Sequence, residues 1–158
     1  MQKITPFLWF DQNAEEAVKF YISVFKKGKI VNVARYPEGA PGPEGSAMTV
    51  EFQLFGQNFV ALNGGPDFKF TEAISFMVNC RTQREVDYYW KKLTAGGKEV
   101  QCGWLKDKYG LSWQIVPTVL MDLLNSKDRA KSARVMQAML AMVKIDIKRL
   151  KKAAAAKK

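Results

Sequence analysis

The chain has 158 residues, of which 47% are hydrophobic, 25 are Lys or Arg, 15 are Asp or Glu, and none is His. That length suits one domain or two small, tightly packed halves, and no apolar run approaches the roughly 20 residues that a bilayer-spanning helix needs. Without histidine there is no Ser-His or Cys-His nucleophile pair and no imidazole to bind a metal, so acid–base chemistry falls to Asp, Glu, Lys, Tyr or Cys. The two cysteines, Cys80 and Cys102, form no CxxC pair, which excludes a zinc ribbon and a thioredoxin motif. Eleven of the basic residues and only two acids, Asp128 and Asp146, lie from Lys127 onward, so the net charge of +10 is concentrated in the tail. A basic tail reads as a nucleic-acid or anionic-membrane contact or as a solvated helix face, and the charge run favours the solvated face. The N-terminus shows no secretory signal, and with free thiols the expectation is a cytoplasmic protein with no membrane contact.

In chain order, residues 4–10 read as a strand. Residues 13–27 read as a helix with Asn13 as N-cap, Glu15 and Glu16 in the first turn, and Gly28 as its stop. Residues 29–36 are strand-like, and 37–47 are too broken by Pro and Gly for regular structure. Strands over 48–55 and 58–63 are joined at Gly56-Gln57, a hairpin signal. After a loop over 64–70 the pattern restarts. Residues 73–79 read as a strand, and 82–93 as a helix with a capping box at Thr82 and Glu85. Three short strands follow, turning at Gly103 and at Tyr109-Gly110.

This is an internal repeat of strand, helix and three strands. A shift of 68 places Val18 on Val86, Phe20 on Tyr88, Phe25 on Leu93 and Gly28 on Gly96. The expected class is α+β: two βαβββ modules, over 1–64 and 65–117, forming a curled, mostly antiparallel sheet around a cavity. Residues 118–158 form a helical extension. Within it, Val135, Met136, Met139, Leu140, Val143, Ile147 and Leu150 lie on one stripe of a long amphipathic pattern, which reads as a packing surface. The closing AAAAKK run reads as frayed.

Alternation assigns side chains to sheet faces. Val50, Phe52 and Leu54 oppose Thr49, Glu51 and Gln53. Val60 and Leu62 oppose Phe59, Ala61 and Asn63. Ile74, Phe76 and Val78 oppose Ser75, Met77 and Asn79. Leu111, Trp113 and Ile115 oppose Ser112, Gln114 and Val116. The first set of each strand is expected to meet the helices. The second sets mix small, polar and bulky residues, which suits either a ligand surface or a wet sheet face. Glu51 reads as a sheltered general base or as the partner of a nearby Lys or Arg.

Several strings carry a family resemblance: PFLWFDQNAEEAVKFY (6–21), FVALNGGPDFKFTEAISFMVNC (59–80), VDYYWKKLTAGG (86–97), CGWLKDKYGLSWQIVP (102–117) and RVMQAMLAMVKIDI (134–147). Together they resemble the PhnB-like branch of the glyoxalase/bleomycin-resistance/dioxygenase (vicinal oxygen chelate) superfamily. The resemblance implies paired βαβββ modules around a shared cavity, often in a homodimer. In metal-using members four ligands come from strands of the two modules. Those places fall here on Pro6, Ala61, Ala73 and Gln114, of which only Gln114 carries a donor, so no metal and no cofactor are expected.

The resemblance then leaves a small-molecule site lined by Leu8, Phe10, Glu51, Phe59, Asn63, Ser75, Met77, Trp104 and Gln114. Trp104 reads as a lid over the mouth or as an ordinary packed Trp, and Cys102 as a thiol whose one visible activator is Lys106. The functional expectation is a metal-free small-molecule binder. The alternative is an enzyme on a small oxygenated metabolite, with Glu51 as base and Asn63 or Gln114 polarising an oxyanion. A third reading is a scaffold whose basic tail contacts nucleic acid or membrane. Some relatives bear a ubiquinone-pathway methyltransferase label, but the glycine-rich loop of an S-adenosylmethionine-binding Rossmann domain is missing.

Overall fold

Each half places one helix after its first strand and pairs its last strand back onto that first strand. The computed structural model describes residues 2–156, and the chain divides into two units on either side of the Phe70–Thr71 bond. The first unit runs β1 (Phe7–Phe10), α1 (Ala14–Phe25), β2 (Gly28–Arg35), β3 (Ala47–Leu54) and β4 (Gln57–Asn63). Its sheet order is β1-β4-β3-β2, with β1 parallel to β4 and the other pairs antiparallel. The second runs β5 (Ser75–Cys80), α2 (Gln83–Thr94), β6 (Lys98–Glu99), β7 (Trp104–Lys106) and β8 (Ser112–Pro117). It continues through α3 (Thr118–Leu124), α4 (Arg129–Leu140) and α5 (Ile147–Ala155). Its sheet order, β5-β8-β7-β6, repeats the first topology. The class is α+β with two βαβββ modules and two separate four-stranded sheets. The division falls after Phe70 because residues 65–70 pack back on the first module, where Phe68 meets Trp9 and Phe70 meets Phe10, edge to face.

Helix α1 buries Ala14, Ala17, Val18, Tyr21, Val24 and Phe25, and its Tyr21 ring lies parallel to Phe52 of β3. Lys26 ends the helix in the left-handed conformation, its N–H donated to Ile22 O at 3.0 Å. Gly28 has a different task from the expected stop. It opens β2 where an added Cβ would sit 2.8 Å from Gln53 O, so the strand closes on β3 only with glycine there. The β3–β4 hairpin turns at Phe55-Gly56, one residue before the expected dipeptide, with positive φ at both positions.

Helix α2 starts as the sequence predicts: Thr82 Oγ1 accepts from Glu85 N at 3.2 Å, and Glu85 Oε2 accepts from Arg81 N at 2.6 Å. The two helices span Ala14–Phe25 and Gln83–Thr94, a repeat offset of 69 rather than 68. That offset superposes the buried Ala17, Tyr21 and Val24 on the buried Val86, Trp90 and Leu93.

The long C-terminal pattern is not one helix. It breaks between Leu140 and Ile147, and Asp146 recaps the chain by accepting from Arg149 N at 2.9 Å. The break lets Met142 and Ile145 turn inward to join Val116, Leu120, Val135 and Leu150 in one cluster, while Met136, Leu140 and Val143 of the expected stripe stay exposed. The AAAAKK run, expected to be frayed, is helical through Ala155, and Lys157 and Lys158 lie outside the described residues.

Candidate functional site

Strand register decides which side chains share a face, because paired residues point the same way. In the first module Leu8 pairs with Ala61 and Phe10 with Asn63, while Phe52 pairs with Phe59 and Val50 with Ala61. Leu8, Phe10, Phe59 and Ala61 are buried at 6, 3, 7 and 0% exposure on the side that carries α1. The sequence reading placed Phe59, Ala61 and Asn63 on the open face. The register reverses that strand, because Val60 and Leu62 fall opposite Glu51 and Thr49. Four expected lining residues, Leu8, Phe10, Phe59 and Asn63, therefore belong to the helix side.

Asn63 holds the module together. Its Oδ1 accepts from Ala14 N at 2.8 Å, at the start of α1, and its Nδ2 donates to Ala47 O at 2.9 Å. Asn13, the expected cap, makes no side-chain cap bond. The cap arrives instead from a strand 49 residues away, a tertiary contact that local spacing does not encode. One of its two amide N–H donors is thereby committed to Ala47 O, and the side chain lies on the helix side, away from Glu51.

Glu51 does lie on the open face, paired in register with Asn32 and Val60, but it is exposed rather than sheltered. Among the described residues its carboxylate has neither of the partners the sequence reading offered, a Lys or an Arg. A cleft of about 170 Å³ lies at the far end of β4, between Asp11, Gln12 and Tyr36, the Pro41-Gly42-Pro43 stretch, and Asn63 with the two glycines that follow it. The Tyr36 hydroxyl there donates to Asn63 O at 2.5 Å.

The second module gathers the other expected residues. Met77 of β5 and Trp104 of β7 flank Gln114 of β8, and Ser75 pairs with Ser112 in the next row. Gln114 Nε2 donates to Ser75 Oγ at 2.9 Å. The opposite face carries Phe76 and Trp113, 5.6 Å apart between ring centroids, with Leu105 and Ile115. Ser112 is the residue that sequence reading left out of the lining. It is 1% exposed, and its Oγ has no hydrogen-bond partner. A buried hydroxyl without a partner costs about 1–3 kcal/mol, so native proteins keep few of them. Alternation had put Ser112 on this face, but only packing reveals the unmet hydrogen bond. Next along the face, Val116 joins the C-terminal cluster. The extension also accepts from the β6–β7 turn, Cys102 N to Met142 O and Gly103 N to Val143 O, both at 2.8 Å. The turn that leads into Trp104 is thus anchored on the extension, while Trp104 itself pairs with Gln114 of β8.

Neither thiol is set up as a nucleophile. Burial, helped by Glu85, pushes Cys80 up to about 12. Lys106, the expected activator of Cys102, instead pairs with Glu72 at 2.6 Å and holds that carboxyl below its ordinary value. The donor set does not fit a divalent ion. Of the four family positions, Pro6 and Ala73 flank strands, Ala61 faces α1, and Gln114 is bonded to Ser75. Val60 and Leu62, the β4 residues that face the open side, are hydrocarbons. Among the described residues no three His, Cys, Asp or Glu side chains cluster.

The family model for 3-demethylubiquinone-9 3-methyltransferase matches residues 2–116. A PhnB protein from Bacillus cereus, provisionally assigned as such a methyltransferase, is 40% identical with a TM-score of 0.69, over 74% of this chain and 100% of that one. Protein PA1353 from Pseudomonas aeruginosa is 18% identical with a TM-score of 0.62, over 74% of this chain and 98% of that one. The fosfomycin resistance protein FosX from Listeria monocytogenes is 14% identical with a TM-score of 0.58, over 79% and 98%. These last two likenesses are of fold alone. No curated protein matches the chain. Helices α3–α5 lie beyond the residues that the family model matches.

Proposed function

The chain belongs to the 3-demethylubiquinone-9 3-methyltransferase family, the PhnB-like branch of the vicinal oxygen chelate superfamily, and on that premise we propose that it binds a small, uncharged, oxygen-bearing molecule on the open face of its second module, without a metal. The observation that carries this reading is the Gln114–Ser75 hydrogen bond set between Met77 and Trp104 on that face. That bond uses one N–H of the Gln114 amide, and a ligand oxygen or N–H would complete the hydrogen bonding of its second N–H and its carbonyl. Met77 and Trp104 supply apolar walls on either side, and polar anchors within apolar walls are the usual composition of a ligand site. The cation next to Ser112 in register, Lys106, is already paired with Glu72, which favours a neutral ligand.

The family's name does not carry its chemistry with it. Three residues without glycine, Asp11, Gln12 and Asn13, separate β1 from α1, and each sheet is mixed rather than doubly wound. A dinucleotide-type cofactor site needs a glycine-rich turn at that place. The competing reading, turnover with Glu51 as base, keeps an exposed carboxylate but finds Asn63 on the opposite face of the sheet.

The test is thermal-shift and native mass spectrometry against neutral aromatic alcohols and ketones. The expected result is saturable protection of the wild type that Gln114→Ala and Trp104→Ala abolish. Protection that survives both changes would place the ligand elsewhere and end this reading. For any turnover that is found, loss in Glu51→Gln would promote the enzyme reading, and intact turnover would dismiss it.

A further inference from the structure

Cations in this protein divide into those with a structural partner and those without. Arg134 donates to the carbonyls of Ala153 and Ala154 at the end of α5, Lys144 pairs with Asp87, and Lys106 pairs with Glu72. Arg81, Lys148 and Lys151 have no side-chain partner among the described residues, and all three line one open cleft of about 590 Å³. The cleft is firmly built. Gln83 of α2 donates to Ile145 O at 3.1 Å and accepts from Ile147 N at 2.8 Å, so one amide ties the first turn of α2 to the first turn of α5. The Lys144–Asp87 pair closes the same seam at 2.6 Å. Asp146 is the single carboxylate in the lining, and its Oδ1 is engaged by Arg149 N. Glu85 folds back on Arg81 N and is not part of the lining.

We propose that this cleft binds the phosphate group of a small metabolite. A phosphate dianion takes charge-assisted bonds from several directions. The Arg81 fork meets it from one wall. Lys148 and Lys151, three residues apart and therefore on one face of α5, meet it from the other. The first turns of both helices add a favourable field, although the three cations carry the argument. One wall lies inside the residues matched by the family model, while α5 lies outside them. The site therefore exists only through the extension, which gives the basic tail a local purpose.

The experiment titrates inorganic pyrophosphate and inorganic phosphate into the full chain by calorimetry, at about 50 mM and about 300 mM salt. One-to-one saturable binding is expected, weakened at the higher salt. Arg81→Gln and Lys148→Gln should each weaken it about tenfold or more. Lys131→Gln, a charge change on α4 away from the cleft, should leave it unchanged. Arg81 and Lys148 are exposed and Lys131 is half-buried, and circular dichroism checks that the variants fold. The absence of saturable binding would overturn the proposal, as would equal weakening by Lys131→Gln, which means attraction to net charge alone. A single-stranded oligonucleotide that binds through Arg81 and Lys148 where pyrophosphate does not would also overturn it, in favour of a nucleic-acid surface.

Discussion

The two modules share one topology and differ in how they hold it. The first is stitched from a distance: Asn63, on its last strand, caps the helix and ties down the start of β3. The second caps its helix locally with Thr82 and Glu85, and it brings in the C-terminal helices to finish its sheet. The cost of that borrowing shows in the edge strands. β2 runs for eight residues along β3, whereas β6 has only two. Beyond Glu99 the chain turns away, and the N–H groups of Cys102 and Gly103 bond to Met142 and Val143 instead of to a strand. Backbone groups must be satisfied somewhere, and here the segment between α4 and α5 replaces a ladder. The difference extends to the open faces. The first presents Phe7, Trp9, Glu51, Val60 and Leu62, while the second presents Ser75, Met77, Trp104 and Gln114, with Ser112 buried on the same side. The module that borrowed its edge is the one with the unmet hydrogen bond.

The comparison breaks most readily at the borrowed helices. Leu150→Ala empties a fully buried position of the C-terminal cluster and should cost about 3 kcal/mol, read by chemical denaturation. A loss below about 1 kcal/mol would mean that the extension does not stabilise the second unit. Next comes the distant cap. Asn63→Ala strands Ala14 N–H and Ala47 C=O together and should cost about 2 kcal/mol, whereas Asn13→Ala should cost less than about 0.5 kcal/mol. Equal effects would return the cap to Asn13. Thr82→Ala, which removes only a local cap, should cost about 1 kcal/mol. Ser112→Ala should be neutral or stabilising by up to about 1 kcal/mol without ligand, since it deletes a buried hydroxyl that has no partner. A clear destabilisation would mean that the hydroxyl is satisfied in solution.

The smallest effect is electrostatic. Hydrogen bonding from Lys144 holds the Asp87 carboxyl below its ordinary value of 3.8. A carboxylate lowered in the folded state contributes stability above that ordinary value and loses it as pH falls through the folded one. Both side chains are well exposed, so Lys144→Ala should cost no more than about 0.5 kcal/mol near neutral pH and nothing once Asp87 is protonated. An effect that persists in acid would point to packing of the Lys144 stem instead.

Alternation, capping residues and the duplicated pattern determined by themselves the class, the order of strands and helices, and the side of the second sheet on which Ser75, Met77 and Gln114 stand. These are short-range signals, written within a few residues of where they act. Tertiary structure alone decided the face of β4, where an apolar Phe59-Val60-Ala61-Leu62 run has no alternation to read and pairing with β3 sets the choice. It also decided that Asn63 rather than Asn13 caps α1, and that the C-terminal pattern folds as two helices so that Met142 and Ile145 can be buried. The same holds for Ser112, whose hydroxyl is left unmatched. Each of these depends on which distant groups arrive at a given point, and that is a property of packing rather than of spacing along the chain.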